Sequence, residues 1–352
     1  MADAGHIETE KRLRKLEKRL QKEYQQASIE LQEKIDDYWQ RYKVKDEIWQ
    51  RRLAKGEVTA SEYADWKKGQ IIVGKRWESM KEEIAEDMMH TNQIASGIIA
   101  DAMPDIYAIN LNYGTYQVET AAMVDTSYTL YSRDAVNHIL GSDADVLPPK
   151  PGKKVAQAIA EGKMKKWEKQ QIQSVALQSI LQGESIPNMA KRIANTLGEL
   201  NHKDSIRYAR TAATGVQNAG RLDSYVRAKE MGIDLKQEWS AVLDERTRHE
   251  HRQLDGQVQE VGTPFKVGND TILYPGDPSA PGYLVWNCRC TLEPVIKGWT
   301  DQSKSTRSMA KLNGMSYEEW KKGHSESRPI DYQEKVGQAI KYSYIKELYR
   351  GK

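Results

Sequence analysis

The sequence has few cysteines, a single phenylalanine and no long apolar run. Two cysteines in 352 residues exclude a small secreted domain that is held together by a disulfide framework. No apolar stretch approaches the roughly 20 residues of a membrane-spanning helix, and the first residues lack the apolar core of a signal peptide. We therefore expect a soluble protein that is made in a reducing compartment and has no membrane partner.

An excess of one charge is also missing. The chain has 53 basic and 50 acidic residues, and a net charge of +3 does not by itself predict a nucleic-acid partner. Its 18 tyrosines and nine tryptophans give much of the aromatic surface a polar end, which suits half-exposed packing and interfaces. The length is sufficient for two or three domains. This composition is compatible with an elongated assembly component at least as well as with a compact enzyme.

Residues 8–54 have the pattern of one long, charged helix. Apolar residues recur at spacings of three and four that add up to an eleven-residue repeat, which keeps one apolar stripe nearly straight along a helix. The stripe consists of Leu13, Leu16, Leu20, Tyr24, Ala27, Leu31, Ile35, Tyr38 and Tyr42. Gly56 ends this helix, and the capping box from Thr59 to Glu62 begins a second helix over about 60–101. We expect the second helix to fold back and cover the stripe as an N-terminal helical hairpin arm.

Basic residues are concentrated near the start of this arm. They are Lys11, Arg12, Arg14, Lys15, Lys18, Arg19 and Lys22, and Glu17 is the only acidic residue among them. One interpretation is a solvated face of the arm, and the other is a contact surface for DNA or for an acidic protein.

The middle of the chain combines a linker with predicted helices. Residues 103–141 have a mixed, tyrosine-rich pattern, and the proline-rich segment 146–152 is the clearest linker. Helices are predicted over about 153–182, 186–198 and 202–231. They form the expected central helical bundle.

The most informative stretch begins at residue 239. Residues 239–243 alternate as in a short strand, and Asp244 follows in a position to cap a short helix that Gly256 ends. On that helix His249 and His251 point in nearly opposite directions, so only one of them can face the domain. We expect it to be His251.

Both cysteines lie close to the end of this stretch. In an extended segment Cys288 and Cys290 point to the same face, and a disulfide between them would need an unusually tight loop. With His251 they supply three of the four ligands of a structural zinc site, for which Asp244 or His249 would be a poor fourth ligand. The alternative, which we prefer, is a cluster without a metal in which these groups are packed and hydrogen-bonded.

The segment between this helix and the cysteines is rich in loops. Residues 257–286 contain four prolines and four glycines, with short strand candidates at 271–274 and 284–286. We expect the cluster of one histidine and two cysteines to hold these loops in place.

The order of these motifs resembles the phage head morphogenesis family, the minor head proteins similar to phage Mu protein F. The resemblance covers about residues 171–295. It rests on Ala209, Arg210, Thr211, Trp239, Asp244, Arg246, Thr247, His251, Leu254, Gly256, Tyr274, Pro275, Asn287, Cys288, Arg289 and Cys290. It implies that Arg210 and Thr211 have a structural role on a helix beside a small sheet. Members of the family often have a Cys-x-x-Cys where this chain has Arg248 and His251, so the ligand set differs.

No enzymatic motif competes with this interpretation. The chain has no His-Glu-x-x-His, no Cys-x-x-Cys of the zinc deaminases, no phosphate-binding Walker loop and no Gly-x-Ser-x-Gly elbow. We expect no catalytic activity and no small-molecule substrate. A metal-dependent nuclease built on Asp244, His249 and His251 stays as one alternative, and a DNA-binding or scaffolding module of the capsid as another.

The sequence therefore predicts a mainly α protein with a small α+β domain. The expected parts are a long helical hairpin arm over 1–103, a mixed helical and linker region over 104–170, a compact domain with a short antiparallel sheet over 171–297 and a helical tail over 298–352. The tail begins with a capping box at Ser316 and has a last predicted helix over 332–348.

The resemblance implies a structural minor head protein of a tailed bacteriophage or prophage. Such a protein would be made in the host bacterial cytoplasm and would lie in the virion, in the capsid interior or portal region. It would act in procapsid assembly, with the portal protein as its main partner. The major capsid protein, a scaffolding protein and phage DNA are further candidate partners, and an effect on DNA packaging or delivery would follow from contact with the portal.

Overall fold

The computed structural model describes residues 3–296, apart from residues 71, 123, 127, 135 and 137–162, together with residues 315–324. Most of these residues are helical, and short antiparallel strands form two small sheets. The predicted class, mainly α with a small α+β part, is confirmed. Among the described residues, no helix combines the length and the apolar character that a membrane crossing requires.

Long helices make up the first two thirds of the chain. They are α1 (Ala4–Ala54), α2 (Ala60–Gln70), α3 (Lys75–Ala122), α4 (Lys163–Leu181) and α5 (Ile186–Glu230). The predicted apolar stripe of α1 is buried from Leu13 to Tyr38, and Tyr42 is half-buried. The capping box at the start of α2 is present, because the Thr59 hydroxyl accepts from the Glu62 amide and the Thr59 amide donates to the Glu62 carboxylate.

The single helix predicted over 60–101 is wrong in two respects. The helix is interrupted between α2 and α3, where Gly74 has a φ of +101° that other residues rarely adopt. Helix α3 then continues past residue 101 to Ala122, so the mixed pattern predicted from residue 103 is wrong as far as residue 122. Pro104 lies within α3 and has no amide hydrogen for the helical hydrogen bond. The free energy gained by burying Ile106 and Leu111 on this helix offsets that loss.

The two helices predicted over 186–198 and 202–231 are one helix, α5. The predicted end at residue 198 coincides with a glycine, Gly198. In the structure Gly198 allows α5 to pass close to α1, since a Cβ atom at this position would lie 2.0 Å from the Ser28 hydroxyl oxygen. This glycine marks a close approach of two helices and not a helix end.

The described residues form two compact units. We name the first, drawn from Met1–Glu17, Ile99–Lys150 and Arg207–Lys352, the sheet unit, and the second, drawn from Lys18–Ile98 and Pro151–Ile206, the helical unit. Because α1, α3 and α5 each supply residues to both, the units do not follow the chain in order. The domain boundaries predicted at residues 103, 170 and 297 stay predictions.

The remaining elements belong to the sheet unit. They are β1 (Leu235–Ser240), α6 (His249–Leu254), β2 (Val258–Glu260), β3 (Phe265–Val267), β4 (Asp270–Ile272), α7 (Gly282–Val285), β5 (Thr291–Ile296) and α8 (Tyr317–Gly323). One antiparallel sheet has the order β2-β1-β5, in which Trp239 pairs with Leu292, and β3 pairs with β4 in a second sheet. The strand predicted over 239–243 ends at residue 240, and the strand predicted over 284–286 is wrong because α7 occupies this place.

Helix α8 packs on α3 through aromatic side chains. Its predicted capping box is present at Ser316, and Tyr317 and Trp320 are buried against Tyr113 and Tyr116 of α3. The indole nitrogen of Trp320 donates to the buried Glu119 carboxylate at 2.7 Å. The predicted linker 146–152 and the predicted helix 332–348 lie outside the described residues.

Candidate functional site

The Asn-Cys-Arg-Cys segment, residues 287–290, forms a tight turn against α5. Asn287 has a φ of +52°, a left-handed conformation that asparagine adopts more readily than most residues. Its amide donates to the Thr211 hydroxyl at 3.1 Å, and the Thr214 hydroxyl donates to the Cys288 carbonyl at 2.7 Å. Two threonines one helical turn apart therefore hold the turn that carries both cysteines.

The turn brings both thiols to the ring of His251. The His251 Nδ1 atom lies 3.3 Å from the Cys290 sulfur and 3.6 Å from the Cys288 sulfur, and all three side chains are buried. The Nε2 atom lies 3.0 Å from the Leu284 carbonyl oxygen, which can only accept, so Nε2 carries the proton and Nδ1 presents its lone pair to the sulfurs. We call these three side chains the His-Cys-Cys cluster.

A buried tryptophan covers the cluster. The Trp239 ring meets the His251 ring edge to face, with 5.9 Å between the ring centres, and it meets the Phe265 ring in the same way at 5.4 Å. Trp239 and Phe265 are both fully buried. The histidine is thus held by one hydrogen bond and by aromatic packing in a single orientation. The other histidine of α6, His249, is exposed and contacts Gln253.

The two thiols differ in acidity. Burial alone would raise the pKa of Cys288, but hydrogen bonds from the Cys290 thiol and amide, with the charges of Arg248 and Arg289, lower it overall. The hydrogen bond to Cys288, together with burial, raises the pKa of Cys290 well above its ordinary value. The pKa values of the two thiols are therefore shifted in opposite directions.

The cluster fits three of the four positions of a tetrahedral zinc site, since its donors are one imidazole nitrogen and two sulfurs. The candidate fourth ligands do not complete it. Among the residues that the structure describes, Asp244 and His249 join no group of three or more potential ligands. The donor set therefore accounts for a metal only in part.

Asp244 has a different partner from the one expected. Both oxygens of its carboxylate accept from Arg289, at 2.6 and 2.7 Å. These bonds, with that from the Thr247 hydroxyl, hold the pKa of Asp244 well below its usual range. Asp244 does not cap α6, which begins at His249 without a side-chain cap, but closes the turn before it through the Arg246 amide at 3.0 Å.

The other predicted motif residues have structural contacts. Arg210 on α5 forms an ion pair with Glu17 at 2.6 Å. Gly256 follows α6 with a φ of +74°, and its amide donates to the Trp239 carbonyl at 2.8 Å. The Pro275 carbonyl accepts from a side chain of α5 at 3.1 Å.

Sequence reasoning missed that side chain, which belongs to Asn218. Its Nδ2 atom donates to the Pro275 and Cys290 carbonyls, both at 3.1 Å, and its Oδ1 atom accepts from the Leu292 amide at 2.8 Å. One buried amide thus joins α5, the loop before α7 and strand β5. The signal was the spacing of polar residues 214, 218, 221 and 225 along one buried face of α5.

Arg221, another residue that sequence reasoning missed, binds three parts of the sheet unit. Its fully buried guanidinium forms two bonds with the Asp3 carboxylate, at 2.6 and 2.7 Å, and one with the Leu292 carbonyl at 3.0 Å. It also lies 5.1 Å from the centre of the Tyr113 ring on α3.

A pair of glycines lets the loop before α7 approach α5. A Cβ atom on Gly215 would lie 2.6 Å from the Gly276 carbonyl oxygen. Gly276 has a φ of +83°, which also favours glycine.

The comparisons with known proteins concern the region that contains this site. Residues 170–293 match the family described as Phage Mu protein F like protein. This region, which we call the F-like region, is similar to that family. The predicted resemblance is confirmed, and the matched region contains α5, β1, α6 and both cysteines.

Three curated relatives are similar to the chain. The minor head protein GP7 of Bacillus phage SPP1 is 32% identical over 154 residues, which cover 41% of this chain and 48% of that protein. The NAD(+)-arginine ADP-ribosyltransferase EFV of Enterococcus faecalis is 26% identical over 58% of this chain and 40% of that protein. An uncharacterized protein of Haemophilus influenzae is 33% identical over 125 residues. The chain thus matches less than half the length of each relative. No solved structure matches it significantly.

A cleft of about 480 Å³ opens beside the His-Cys-Cys cluster of this F-like region. The three cluster residues line one side of it, and Arg14 of α1 lines another. Arg14 is the one member of the predicted basic run that reaches this cleft. Two other members of the run form ion pairs, Lys11 with Glu8 and Arg12 with Glu8 and Asp105. The remaining members are exposed: Lys15, Lys18, Arg19 and Lys22.

Proposed function

We propose that this protein is a structural minor head protein of a tailed bacteriophage or prophage, acting in head morphogenesis at or near the portal. The observation that carries the proposal is the match of residues 170–293 to the phage Mu protein F-like family. The relative from phage SPP1, which is named a minor head protein, supports it. On this proposal the protein is part of the virion, and the portal protein is its main partner. The major capsid protein and a scaffolding protein are further candidates.

The geometry of the F-like region suits a rigid scaffold piece. Loops lose backbone entropy when they are ordered, and favourable contacts must offset this loss. Here the offset comes from Asn218, from the two threonines that hold the turn of residues 287–290 and from the packed His-Cys-Cys cluster. The result is a loop surface of fixed shape, which an assembly contact requires.

Catalysis is not part of the proposal. The nuclease hypothesis needs Asp244, His249 and His251 at one point, but Arg289 binds the first and the second is exposed. The activity in the name of the Enterococcus relative concerns that protein, of which this chain matches 40% at 26% identity.

The test is the composition of the head. Heads purified from the phage or prophage that encodes this chain should contain it, and it should co-purify with tagged portal protein when both are co-expressed. Its absence from both would contradict the proposal. In parallel, the purified protein should leave plasmid DNA intact with Mg²⁺ or Zn²⁺. Cleavage that disappears in His251→Ala would favour the nuclease instead.

A further inference from the structure

The cleft beside the His-Cys-Cys cluster is lined by more positive than negative side chains. Its arginines are Arg14, Arg210, Arg246, Arg248 and Arg289. Glu10 and Glu17 are the carboxylates of the lining, and Asp244 lies next to it as the partner of Arg289. Five guanidinium groups therefore face three carboxylates.

Two of these arginines are neutralised within the protein. Arg289 forms the two-bond pair with Asp244, and Arg210 pairs with Glu17 at 2.6 Å. Since Asp244 is already occupied on both oxygens, it is a weak partner for Arg246, which lies 3.7 Å away with 80% of its side chain exposed. The charge of Arg246 is thus largely available to a ligand.

Two more arginines have no carboxylate partner among the described residues. Arg248 donates to the neutral carbonyl of Trp286, so its charge is oriented but not balanced. Arg14 is exposed on α1 and takes part in no ion pair within the described part of the chain. Three cations, from α1 and from the loop and turn before α6, therefore converge on one cleft. Glu10 is the one carboxylate of the lining that forms no ion pair among the described residues, so positive charge remains in excess.

We propose that this cleft binds phosphate groups of a nucleic acid backbone. The planar fork of arginine donors matches phosphate oxygens in two-bond geometry, whereas lysine acts as a point charge. A polymer fits better than a single phosphate, because the charge continues beyond the cleft. Lys18 and Lys22 follow Arg14 at intervals of four residues along α1 and are exposed like it. The inference gives the proposed head protein a second partner, DNA, and rests on that function for the presence of DNA.

The test uses the full chain and a fluorescent 30-base-pair duplex of random sequence. Binding is followed by anisotropy as the salt concentration is raised, because each phosphate that the protein neutralises adds about 0.9 to the magnitude of the slope of log K against log salt. The double variant Arg14→Glu, Arg246→Glu should bind about tenfold more weakly or worse and lose about two units of slope. Both side chains are exposed and neither donates a side-chain hydrogen bond within the described residues, so the fold should survive, which circular dichroism can check.

Two controls separate the cleft from general basicity. Arg51→Glu removes an exposed arginine at the far end of α1, 76% exposed, and should change affinity less than twofold. ATP at equal phosphate concentration should compete poorly with the duplex. Equal losses of DNA affinity in the cleft variant and in Arg51→Glu would overturn the proposed site, as would a wild-type protein that does not bind DNA at low salt. Tight binding of ATP without binding of DNA would overturn the proposal that the ligand is a polymer.

The test of DNA binding by the cleft and the test of the head role can fail independently of each other. The cleft variant should still enter heads and bind portal protein, because its substitutions lie in the DNA site alone. A protein that binds DNA through the cleft but is absent from heads would refute the head role and leave the site standing. A protein found in heads with no loss of affinity in the cleft variant would refute the site alone.

Discussion

Asn218 donates a hydrogen bond to the carbonyl oxygen of Cys290 at 3.1 Å, and this bond ties the cysteine turn to the middle of α5. The same side chain also serves the Pro275 carbonyl and the Leu292 amide. The Asn218 amide also donates to the Thr214 carbonyl of its own helix, so it has four backbone partners. Such a buried amide is costly to remove, since each partner left without a hydrogen bond costs about 1–3 kcal/mol.

Asn218→Ala should therefore lower the free energy of unfolding by about 2–4 kcal/mol. Chemical denaturation measures it. Asn188→Ala is the matched control, because Asn188 lies exposed near the start of the same helix. A loss below about 1 kcal/mol at Asn218 would mean that water replaces the amide and that the loops are held by other contacts.

Gly215→Ala should destabilise the protein through a backbone clash. The new methyl group would lie 2.6 Å from the Gly276 carbonyl oxygen, which cannot rotate away as a side chain can. We expect a loss of roughly 1–3 kcal/mol. Gly97→Ala, at an open position inside α3, should instead raise stability by roughly 0.5–1 kcal/mol. Opposite signs for the two substitutions in thermal unfolding are the expected result, and equal signs would contradict the close approach.

The protein should contain no stoichiometric zinc when it is purified without chelators. The cluster supplies three donors, and no fourth ligand is found near it among the described residues. Elemental analysis by mass spectrometry provides the measurement. One zinc per chain, lost in His251→Ala, would show instead that the cluster binds a metal with water or another group in the fourth position.

Stability should fall as the pH rises from about 4.5 to 7, in part because of Glu168 in the helical unit. Its carboxyl is fully buried, and burial raises its pKa from 4.5 to about 7 in spite of the opposite effect of Asn201. In this range the folded state holds a proton that the unfolded state has released, so rising pH favours unfolding. The full effect is roughly 3 kcal/mol above pH 7.

Glu168→Gln removes this charge and should be more stable than the parent by roughly 3 kcal/mol at pH 8, but by less than about 1 kcal/mol at pH 5. Urea denaturation of both proteins at each pH gives the difference. The comparison cancels other groups, such as Glu293, whose pKa burial also raises to about 7. A difference that does not change with pH would show that Glu168 is already ionised in the folded state.

Local patterns in the sequence were sufficient for much of the fold. The spacing of the α1 stripe, the capping boxes at Thr59 and Ser316 and the orientation of His251 each depend on residues within a few helical turns. They do not depend on which other segment lies opposite. Such features are therefore accessible to periodicity and capping rules.

Features that depend on distant partners were not accessible in this way. The prediction of two helices over 186–198 and 202–231 was wrong, and nothing nearby in the sequence shows that Ser28 lies against Gly198. Asp244 was assigned to the cap of α6 because its true partner, Arg289, is far along the chain. Asn218 and Arg221 were overlooked for the same reason, since a polar residue on a long helix is usually exposed.

The buried guanidinium of Arg221 limits which fragments of the protein can be expected to fold. The F-like region begins at residue 170, but two of the groups that satisfy Arg221 come from outside it, Asp3 at the start of α1 and Asn110 within α3. A fragment trimmed to the family boundaries would keep the cation and lose both partners, and removing one side of a buried ion pair typically costs 3–5 kcal/mol. A fragment that is expressed alone or exchanged between phages should therefore include the first helix and the end of the third together with the matched region.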